Sequence, residues 1–457
     1  MKRFNVPVNL FALLAVVAVT TTASAQRPVT GMPVPELSTI DDAVLAYMDA
    51  NDVKGAIVGI SRHGKPVYLR GFGWSDEALT VPMRENRIQR VASITKTFTA
   101  AVIMDLAAKG QLDISEFAFD LDQPDGGILQ LAPFPALYDD RMADIKVHHL
   151  LHHYAGWDRA LAQDPTQHEL DCQEDMNLPE LPVPEELMRW IMGRPLQHDP
   201  GSTYAYSNVG YLALGLIAEQ VSGMSLLDYV RLHLLTEDLW FPLEDIQMGF
   251  TFEAELDLRE PHYNSSAMQV NVFDPTGPLV PAPYGSWNHE LKDGYGRIVT
   301  GAVPLLHHAH RFVLNGLDRG KRIDGAHDLE AHGGAQPGNN SQLWQLSNGT
   351  DFVVLVNEYD GVTTHAQAIA VEVYNALALF NFPYLTEAVD AYWLEPGYGG
   401  EAHGSWDLPY GNLGQLNGTD MRTKIKAKPG SSPWTGVVNG ANVLITKAAG
   451  GAAIFGK

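Results

Sequence analysis

A serine and a lysine three residues apart, Ser93 and Lys96, have the types and spacing that nucleophilic catalysis needs. They stand at the start of an apolar segment, residues 93–109, whose composition predicts a helix ended by Gly110. Because helical residues i and i+3 share a face, the Lys96 amine can reach the Ser93 hydroxyl. Burial beside another cation would lower the pKa of Lys96, so that the neutral amine could take the serine proton. Alone, such a pair is more simply a helix cap followed by a surface lysine.

Two later segments supply partners for this pair. Tyr206-Ser207-Asn208 follows a Pro200-Gly201 turn and precedes a predicted helix over residues 209–221. A tyrosine and an amide placed just before a helix can point into a cleft. Farther on, Gly333-Gly334 lies within residues 331–335, and two glycines allow backbone to come close to a bound ligand.

In this order, the three segments resemble the S-x-x-K, Y-x-N and [K/H]-x-G elements of the serine β-lactamase and penicillin-binding protein superfamily. That superfamily includes class C β-lactamase-related enzymes, DD-peptidases and family VIII carboxylesterases. The surrounding sequence is similar too: IKVHHLLHHYAG over residues 145–156, PGSTYAYSNVGYLALGLIAE over 200–219 and HGGAQPG over 332–338. The resemblance runs from about residue 38 to residue 380.

The resemblance implies roles for four side chains. Ser93 would be the acylated nucleophile and Lys96 its base. Tyr206 would shuttle the proton to the leaving group and then act in deacylation. Asn208 would hold the carbonyl side of the substrate and also Lys96.

The resemblance implies further substrate contacts on a strand at the sheet edge. His332 would bind a substrate carboxylate or tune Tyr206, and the backbone N–H groups of Ser93 and Ala335 would form an oxyanion hole. Gly333 and Gly334 belong to the same substrate-binding strand. His332 stands where class C β-lactamases have lysine, and Gly333 replaces the usual threonine. These departures favour an esterase or peptidase over a β-lactamase.

The elements around these motifs predict one sheet built from the two chain ends with a helical insert, and the resemblance implies an α/β (α+β) fold of the β-lactamase/DD-peptidase type. It would consist of an antiparallel sheet from both chain ends flanked by helices, plus a mostly helical insert. Helices are predicted at 37–50, 226–235 and 364–380, and strands at 56–61, 67–72, 341–346 and 352–357. The acidic stretch 158–184 is predicted to be an irregular surface insertion or lid.

The predicted domain organisation has three parts. Residues 1–25 have the basic start, apolar run and Ala23-Ser24-Ala25 pattern of a secretory signal peptide. Residues 26–385 form the hydrolase domain, with a sheet part at about 38–90 and 296–385 and a helical part at about 91–295. Residues 386–457 are a C-terminal extension, small β or partly disordered. We therefore expect a secreted or periplasmic protein.

Charge and composition exclude several classes of partner. The 457-residue chain has a net charge of −23, which disfavours nucleic acid and anionic membranes, and after the leader no segment predicts stable membrane insertion. We infer no protein partner and no cofactor. The single cysteine, Cys172, excludes an intrachain disulfide and has no activating neighbours.

Other residues have both a functional and a structural interpretation. His148, His149, His152 and His153 have spacings that could bind zinc, but a structural role is favoured and no metal is expected. Trp157, Trp240, Tyr284 and Trp287 could line an acyl pocket, although core packing is the simpler interpretation.

The sequence thus predicts an exported serine hydrolase that cleaves an ester or amide of a small molecule, as a carboxylesterase or peptidase. A β-lactamase or DD-carboxypeptidase, and a penicillin-binding or sensor protein without turnover, remain alternatives.

Overall fold

A computed structural model describes residues 27–62, 64–235, 241–312, 314, 330–346 and 349–378, together with three strands near the C-terminus. The helices are α1 Ser38–Asn51, α2 Thr95–Ala108, α3 Val147–Leu151, α4 Glu169–Met176, α5 Pro184–Met192, α6 Asn208–Ser222, α7 Leu226–Tyr229, α8 Ala302–Arg311 and α9 His365–Ala378. The strands are β1 Val29–Thr30, β2 Gly55–Arg62, β3 Lys65–Gly73, β4 Gln89–Arg90, β5 Ile246–Met248, β6 Met268–Gln269, β7 Val280–Pro281, β8 Ile298–Thr300, β9 Glu330–Gln336, β10 Asn339–Gln345, β11 Thr350–Val356, β12 Trp434–Val438, β13 Ala441–Lys447 and β14 Ala453–Gly456.

The main sheet has six antiparallel strands in the order β1-β3-β2-β11-β10-β9. Its two halves come from opposite parts of the chain and meet where β2 pairs with β11, with Val58 opposite Val354. The β2–β3 hairpin turns at Gly64, whose φ of 76° lies in the left-handed region that glycine adopts without strain. The predicted antiparallel sheet built from both chain ends is confirmed.

Both faces of this sheet are covered, and successive side chains of its central strands pack alternately into one core and the other. In β11, Phe352, Val354 and Val356 pack in one core, whereas Val353 and Leu355 pack in the other. The first core is closed by α1 and α9, and the second contains α8 and the helical part of the molecule. This two-sided burial explains why β11 is a continuous apolar run instead of an alternating one.

The helical part is organised around α2 and α6, which pack on one another in the larger core. A Cβ added at Gly215 in α6 would lie 3.0 Å from the Cα atom of Gly294, so helix and loop are in close contact there. Strands β4, β8 and β5 form a separate small antiparallel sheet in the order β4-β8-β5. Within the described residues no single helix is long and apolar enough to cross a membrane, although the bent pair 208–222 and 226–234 passes the same test together.

Of two predictions about this part, one is confirmed in extent and the other is wrong. The helix predicted at 226–235 is helical over residues 226–234, as an α-helix over Leu226–Tyr229 and a π-helical turn over Val230–Leu234. The stretch 158–184 is not simply an irregular surface segment, because it contains α4 and buries Asp164, Glu169 and Cys172. Local hydrogen bonds permit that burial, since Thr166 donates from both its backbone N–H and its hydroxyl to Asp164.

The predicted leader, residues 1–25, lies outside the described residues. Near the C-terminus, β12, β13 and β14 form a three-stranded antiparallel sheet. The proposed division into a leader, a hydrolase domain and an extension remains a prediction.

Candidate active site

Ser93 lies at the tight entry to α2. It is the central residue of a 3-10 turn, Ala92–Ile94, that leads directly into the helix. Ala92 has a φ of 48°, a left-handed conformation that costs a non-glycine residue about 1 kcal/mol or more. Ala92 and Ile94 are buried while Ser93 is only half-buried. The turn therefore keeps the Ser93 side chain accessible on an otherwise buried segment.

Lys96 is buried next to Ser93, as the spacing predicts. Its Nζ atom donates to Ser93 Oγ at 3.1 Å and to the Tyr295 carbonyl oxygen at 2.9 Å, and only 1% of the residue is exposed. Burial lowers the pKa of Lys96 to about 7, with Arg159 lowering it further and Asp164 opposing the change. About half of the Lys96 side chains are thus neutral at pH 7 and able to accept a proton.

Tyr206 completes a three-residue cluster. The Lys96 Nζ atom lies 5.0 Å from the centre of its ring. Burial raises the pKa of Tyr206 to about 12, although the Ser93 hydroxyl and the charge of Arg159 act in the opposite direction. Tyr206 is therefore a neutral phenol at pH 7, able to donate a proton while it accepts another.

The His153 ring packs against the ring of Tyr206. Its ring centroid lies 4.6 Å from that of Tyr206, and its Nδ1 atom accepts the Ser207 N–H at 3.2 Å. Burial and the neighbouring Lys96 and His332 lower the pKa of His153 to about 3, so the imidazole is neutral at pH 7. A neutral, hydrogen-bonded ring in this place is a structural support for Tyr206.

Strand β9 passes directly over the Ser93 turn. A Cβ added at Gly334 would lie 2.1 Å from the Val91 carbonyl oxygen and 3.1 Å from the Ser93 backbone nitrogen. Only glycine fits there, which explains one of the two glycines in the motif. Ala335 and Ser93 line the same cavity, which is the placement that an oxyanion hole of their two N–H groups requires.

The remaining predicted residues lie near this cluster with other partners. The Asn208 Nδ2 atom donates to Asp164 Oδ2 at 2.7 Å, in place of the expected contact with Lys96. His332 is half-buried on β9, with its Nδ1 atom 3.0 Å from the Gly333 carbonyl oxygen. Gly333 is exposed and pairs with Gln342 of β10. Asn208 lines the Ser93 cavity, whereas His332 and Gly333 do not.

The cavity beside Ser93 has a volume of about 100 Å³ and includes residues that sequence reasoning missed. Besides Ser93, Asn208, Ala335 and Trp287, which the sequence analysis considered, its lining includes Arg159, Lys292, Tyr295 and Gln336. Lys292 precedes Tyr295 in one loop, and nothing in its sequence surroundings marks it as functional.

A larger cavity of about 490 Å³ adjoins the first, because Arg159 and Asn208 line both. Trp157 lines this larger cavity and Trp287 lines the smaller one, so neither residue serves core packing alone. Tyr284 is buried and accepts the Tyr263 N–H at 2.7 Å, which supports its structural interpretation. Trp240 lies outside the described residues.

The clustered histidines have structural partners. His148 Nδ1 lies 3.0 Å from the Ile114 carbonyl oxygen, and His149 Nδ1 accepts the Lys146 N–H at 3.2 Å. Over the part of the chain that the structure describes, no three His, Cys, Asp or Glu side chains are grouped to hold a metal ion. Burial raises the pKa of the Cys172 thiol to about 12, which keeps it protonated and unreactive.

The chain is similar in sequence to several curated proteins, and these proteins have different names. It is 25% identical over 284 residues to protein flp of Staphylococcus aureus (strain MW2), covering 62% of this chain and 50% of that protein. It is 29% identical over 235 residues to esterase EstB of Burkholderia gladioli, covering 50% of this chain and 55% of EstB. The chain thus spans about half the length of the curated relatives it matches.

Solved structures support the fold. A D-stereospecific amidohydrolase from Streptomyces sp. superposes with a TM-score of 0.51 at 18% identity, over 75% of this chain and 98% of that one. An octameric penicillin-binding protein homologue from Pyrococcus abyssi has a TM-score of 0.51 at 19% identity, over 92% and 95% of the two chains. The family model named Beta-lactamase matches residues 40–339. Since that match covers well over half of the chain and includes the Ser93, Tyr206 and His332 segments, the protein belongs to the Beta-lactamase family.

Proposed function

We propose that the protein is a serine hydrolase that cleaves an ester or amide bond through an acyl-enzyme on Ser93. The observation that carries the proposal is the buried Lys96 amine, which lies 3.1 Å from Ser93 Oγ and has a pKa of about 7. A surface lysine, with its ordinary pKa, would be almost wholly protonated at pH 7 and could not act as a base. The Tyr206 phenol, whose pKa the Ser93 hydroxyl acts to lower, gives the proton a second path.

The mechanism follows from these contacts. Ser93 Oγ attacks the substrate carbonyl carbon as its proton moves to neutral Lys96, and the carbonyl oxygen takes the negative charge. The N–H groups of Ser93 and Ala335 stabilise that oxyanion, each by about 3 kcal/mol relative to a site without the donor. Tyr206 then donates its proton to the leaving alcohol or amine and regains one from Lys96. Deacylation uses the same route in reverse: a water molecule gives a proton to Tyr206, Tyr206 passes one to Lys96, and the water oxygen attacks the acyl-enzyme carbonyl carbon. Ser93 Oγ then leaves and regains its proton from Lys96.

Within this reaction class we propose a carboxylesterase or peptidase. Gly333 supplies no hydroxyl where the family's usual threonine would contact a substrate, and His332 does not line the Ser93 cavity. The name of esterase EstB supports the same choice, and the amidohydrolase among the structural neighbours supports the peptidase alternative. We further propose that residues 1–25 direct the protein to the periplasm or the exterior, on the basis of their composition.

A substrate panel tests the reaction. A neutral short-chain p-nitrophenyl ester, a chromogenic cephalosporin and a D-Ala-D-Ala peptide should rank with the ester or the peptide first. Ser93→Ala should reduce the turnover of the best substrate by at least about a thousandfold. The matched control is Ser115→Ala, which removes an exposed serine and should keep wild-type turnover. Full activity in Ser93→Ala would refute the assignment, and preference for the cephalosporin would favour the β-lactamase alternative.

Intact mass measurement separates the enzyme from the sensor alternative. After brief mixing with a fluorophosphonate, the wild-type mass should rise by one adduct, and Ser93→Ala should give none. A stable adduct with a fluorescent penicillin, without turnover of any ester, peptide or cephalosporin, would instead support a penicillin-binding sensor.

A further inference from the structure

Arg159 brings a second basic side chain to the ring of Tyr206. Its guanidinium carbon lies 4.7 Å from the centre of that ring, and the Lys96 Nζ atom lies 5.0 Å from the same centre. Both distances fall within the roughly 6 Å over which the face of an aromatic ring attracts a cation. Lys96 belongs to one of the three sequence motifs, whereas Arg159 comes from the segment 158–184, outside all of them.

No ion pair explains the position of Arg159. The residue is exposed, and across the described ranges its guanidinium pairs with no carboxylate. Two acids close to it in the chain are engaged with other groups: Asp158 pairs with His198 at 2.9 Å, and Asp164 accepts from Asn208 at 2.7 Å. The contact of Arg159 with the ring is therefore not a by-product of a salt bridge, although the chain contains 54 acidic residues.

The lining of the Ser93 cavity sets Arg159 apart from the other basic residue there. Arg159 lines this cavity and also the larger cavity that adjoins it. Lys292 lines the Ser93 cavity too, but its Nζ atom lies over the Trp287 ring, 2.9 Å from the ring centre. Among the described residues that line the Ser93 cavity, Arg159 is thus the cation in contact with Tyr206.

We infer that Arg159 promotes departure of the leaving group by stabilising the negative charge that develops on Tyr206. The inference rests on the proposed function and adds a residue to the same reaction. When the bond from the carbonyl carbon to the leaving oxygen or nitrogen breaks, its electron pair goes to that atom, which takes the Tyr206 proton. The phenol oxygen then carries negative charge until it receives the proton that Lys96 took from Ser93. Arg159 touches no reacting atom and acts through Tyr206, so it is a positioning residue.

The electrostatics of the site give a fixed positive charge an effect at this step. Burial raises the pKa of Tyr206 to about 12, and the Ser93 hydroxyl and the Arg159 charge act in the opposite direction. Burial therefore favours the neutral phenol, and a nearby cation reduces the free-energy cost of the phenolate. Lys96 is positively charged only while it holds a proton, and it gives that proton up to Tyr206. The Arg159 guanidinium stays charged throughout the cycle.

The dependence of the rate on the leaving group tests this inference. Ethyl butyrate and p-nitrophenyl butyrate transfer the same acyl group to Ser93, but an alcohol needs a proton to leave, whereas p-nitrophenolate is stable enough to leave without one. Arg159→Gln should lower kcat/KM for ethyl butyrate about tenfold more than for p-nitrophenyl butyrate, which is the effect expected of a partly desolvated cation on a ring. Arg159→Lys keeps the charge and should recover part of the difference.

The ratio of the two kcat/KM values, ethyl to p-nitrophenyl, isolates the role of Tyr206 as an acid. Both esters use the same nucleophile and base, so the change that Arg159→Gln makes in the pKa of Lys96 alters both values by the same factor. A loss of folded protein also lowers both values together. The control is Arg84→Gln, which removes the same charge from an exposed arginine outside both cavities and should keep the wild-type ratio.

The outcomes separate this inference from the proposed function. An unchanged ratio in Arg159→Gln, with both esters still cleaved, would overturn the role of Arg159 and leave the proposed hydrolase intact. A similar fall of the ratio in Arg84→Gln would overturn it as well, because the effect would then come from net charge at long range. Cleavage of p-nitrophenyl butyrate alone by the wild type would show that leaving groups are not protonated and would also overturn it. If wild type cleaves neither ester, the proposed function fails and this inference fails with it.

Discussion

The rate of the proposed reaction should depend on pH through Lys96. With a pKa of about 7, about half of the Lys96 amine is neutral at pH 7. An ordinary lysine with a pKa of 10.5 would be only about 0.03% neutral at pH 7, so burial enlarges the active fraction more than a thousandfold. For a neutral ester, kcat/KM should therefore rise through pH 7 and level off above pH 8, because this parameter reports the free enzyme's base.

Two nearby charges should move this profile in opposite directions. Asp164 raises the pKa of Lys96, so Asp164→Asn should shift the rising limb to lower pH. Arg159 lowers the pKa, so Arg159→Gln should shift the limb to higher pH. A movement on the order of one pH unit is expected for a neighbouring charge in a buried site, and each unit changes kcat/KM at pH 5.5 about tenfold. Asn at position 164 can still accept the Asn208 hydrogen bond.

The assay is kcat/KM for p-nitrophenyl butyrate measured from pH 5 to pH 9 in wild type and both variants. Asp140→Asn is the control, since it removes one exposed carboxylate outside the two cavities. Movement of both limbs in the same direction, or of neither, would show that the titrating group is not Lys96 and would refute the assignment of the base.

Two further predictions concern Gly334 and Lys96. Gly334→Ala should lower kcat at least about a hundredfold, because the added Cβ would meet the Val91 carbonyl oxygen. Gly333→Ala should lower kcat less, because its Cβ would meet only the flexible end of the Gln342 side chain. Equal losses of kcat in the two variants would argue against the close approach of β9 to the Ser93 turn. Lys96→Met should abolish activity but raise the melting temperature at pH 7. The folded chain favours the neutral amine, so burial of Lys96 destabilises the fold increasingly as pH falls from 10.5 to about 7. The gain of about 2 kcal/mol that remains at pH 7 after loss of the bond to the Tyr295 carbonyl oxygen should fall by about 1.4 kcal/mol per pH unit, vanish at about pH 9 and become a loss by pH 10.5, and a gain independent of pH would contradict this account.

Local sequence was sufficient for much of the fold and for the centre of the site. Apolar spacing located α2, α6 and the β2–β3 hairpin to within two residues at either end, because these elements bury continuous or regularly spaced side chains. The Ser93–Lys96 contact also follows from local geometry, since one helical turn brings the two side chains together.

The rest of the site depends on contacts between distant parts of the chain. Asp164 is bonded to Asn208, and no periodicity in either segment marks that pair. The Tyr295 carbonyl oxygen accepts from Lys96 although the two residues are far apart in sequence, and a backbone acceptor has no signature in residue type. The burial of segment 158–184 could not be predicted for a similar reason, because its buried acids look like surface charges until their hydrogen-bond donors are known.

The pairing of β2 with β11 has a consequence for the order in which the protein can mature. Val58 of β2 pairs with Val354 of β11, so the β2 edge of the β2–β3 hairpin stays unpaired until almost 300 further residues have been synthesised. Strand β9, which brings Gly334 over Ser93, also comes from that late region. Pairings between such distant strands form slowly, and unpaired edges are prone to aggregate in the meantime. A partly synthesised chain would already contain Ser93, Lys96 and Tyr206 but not the Ala335 N–H, so reactivity toward a fluorophosphonate reports completed folding.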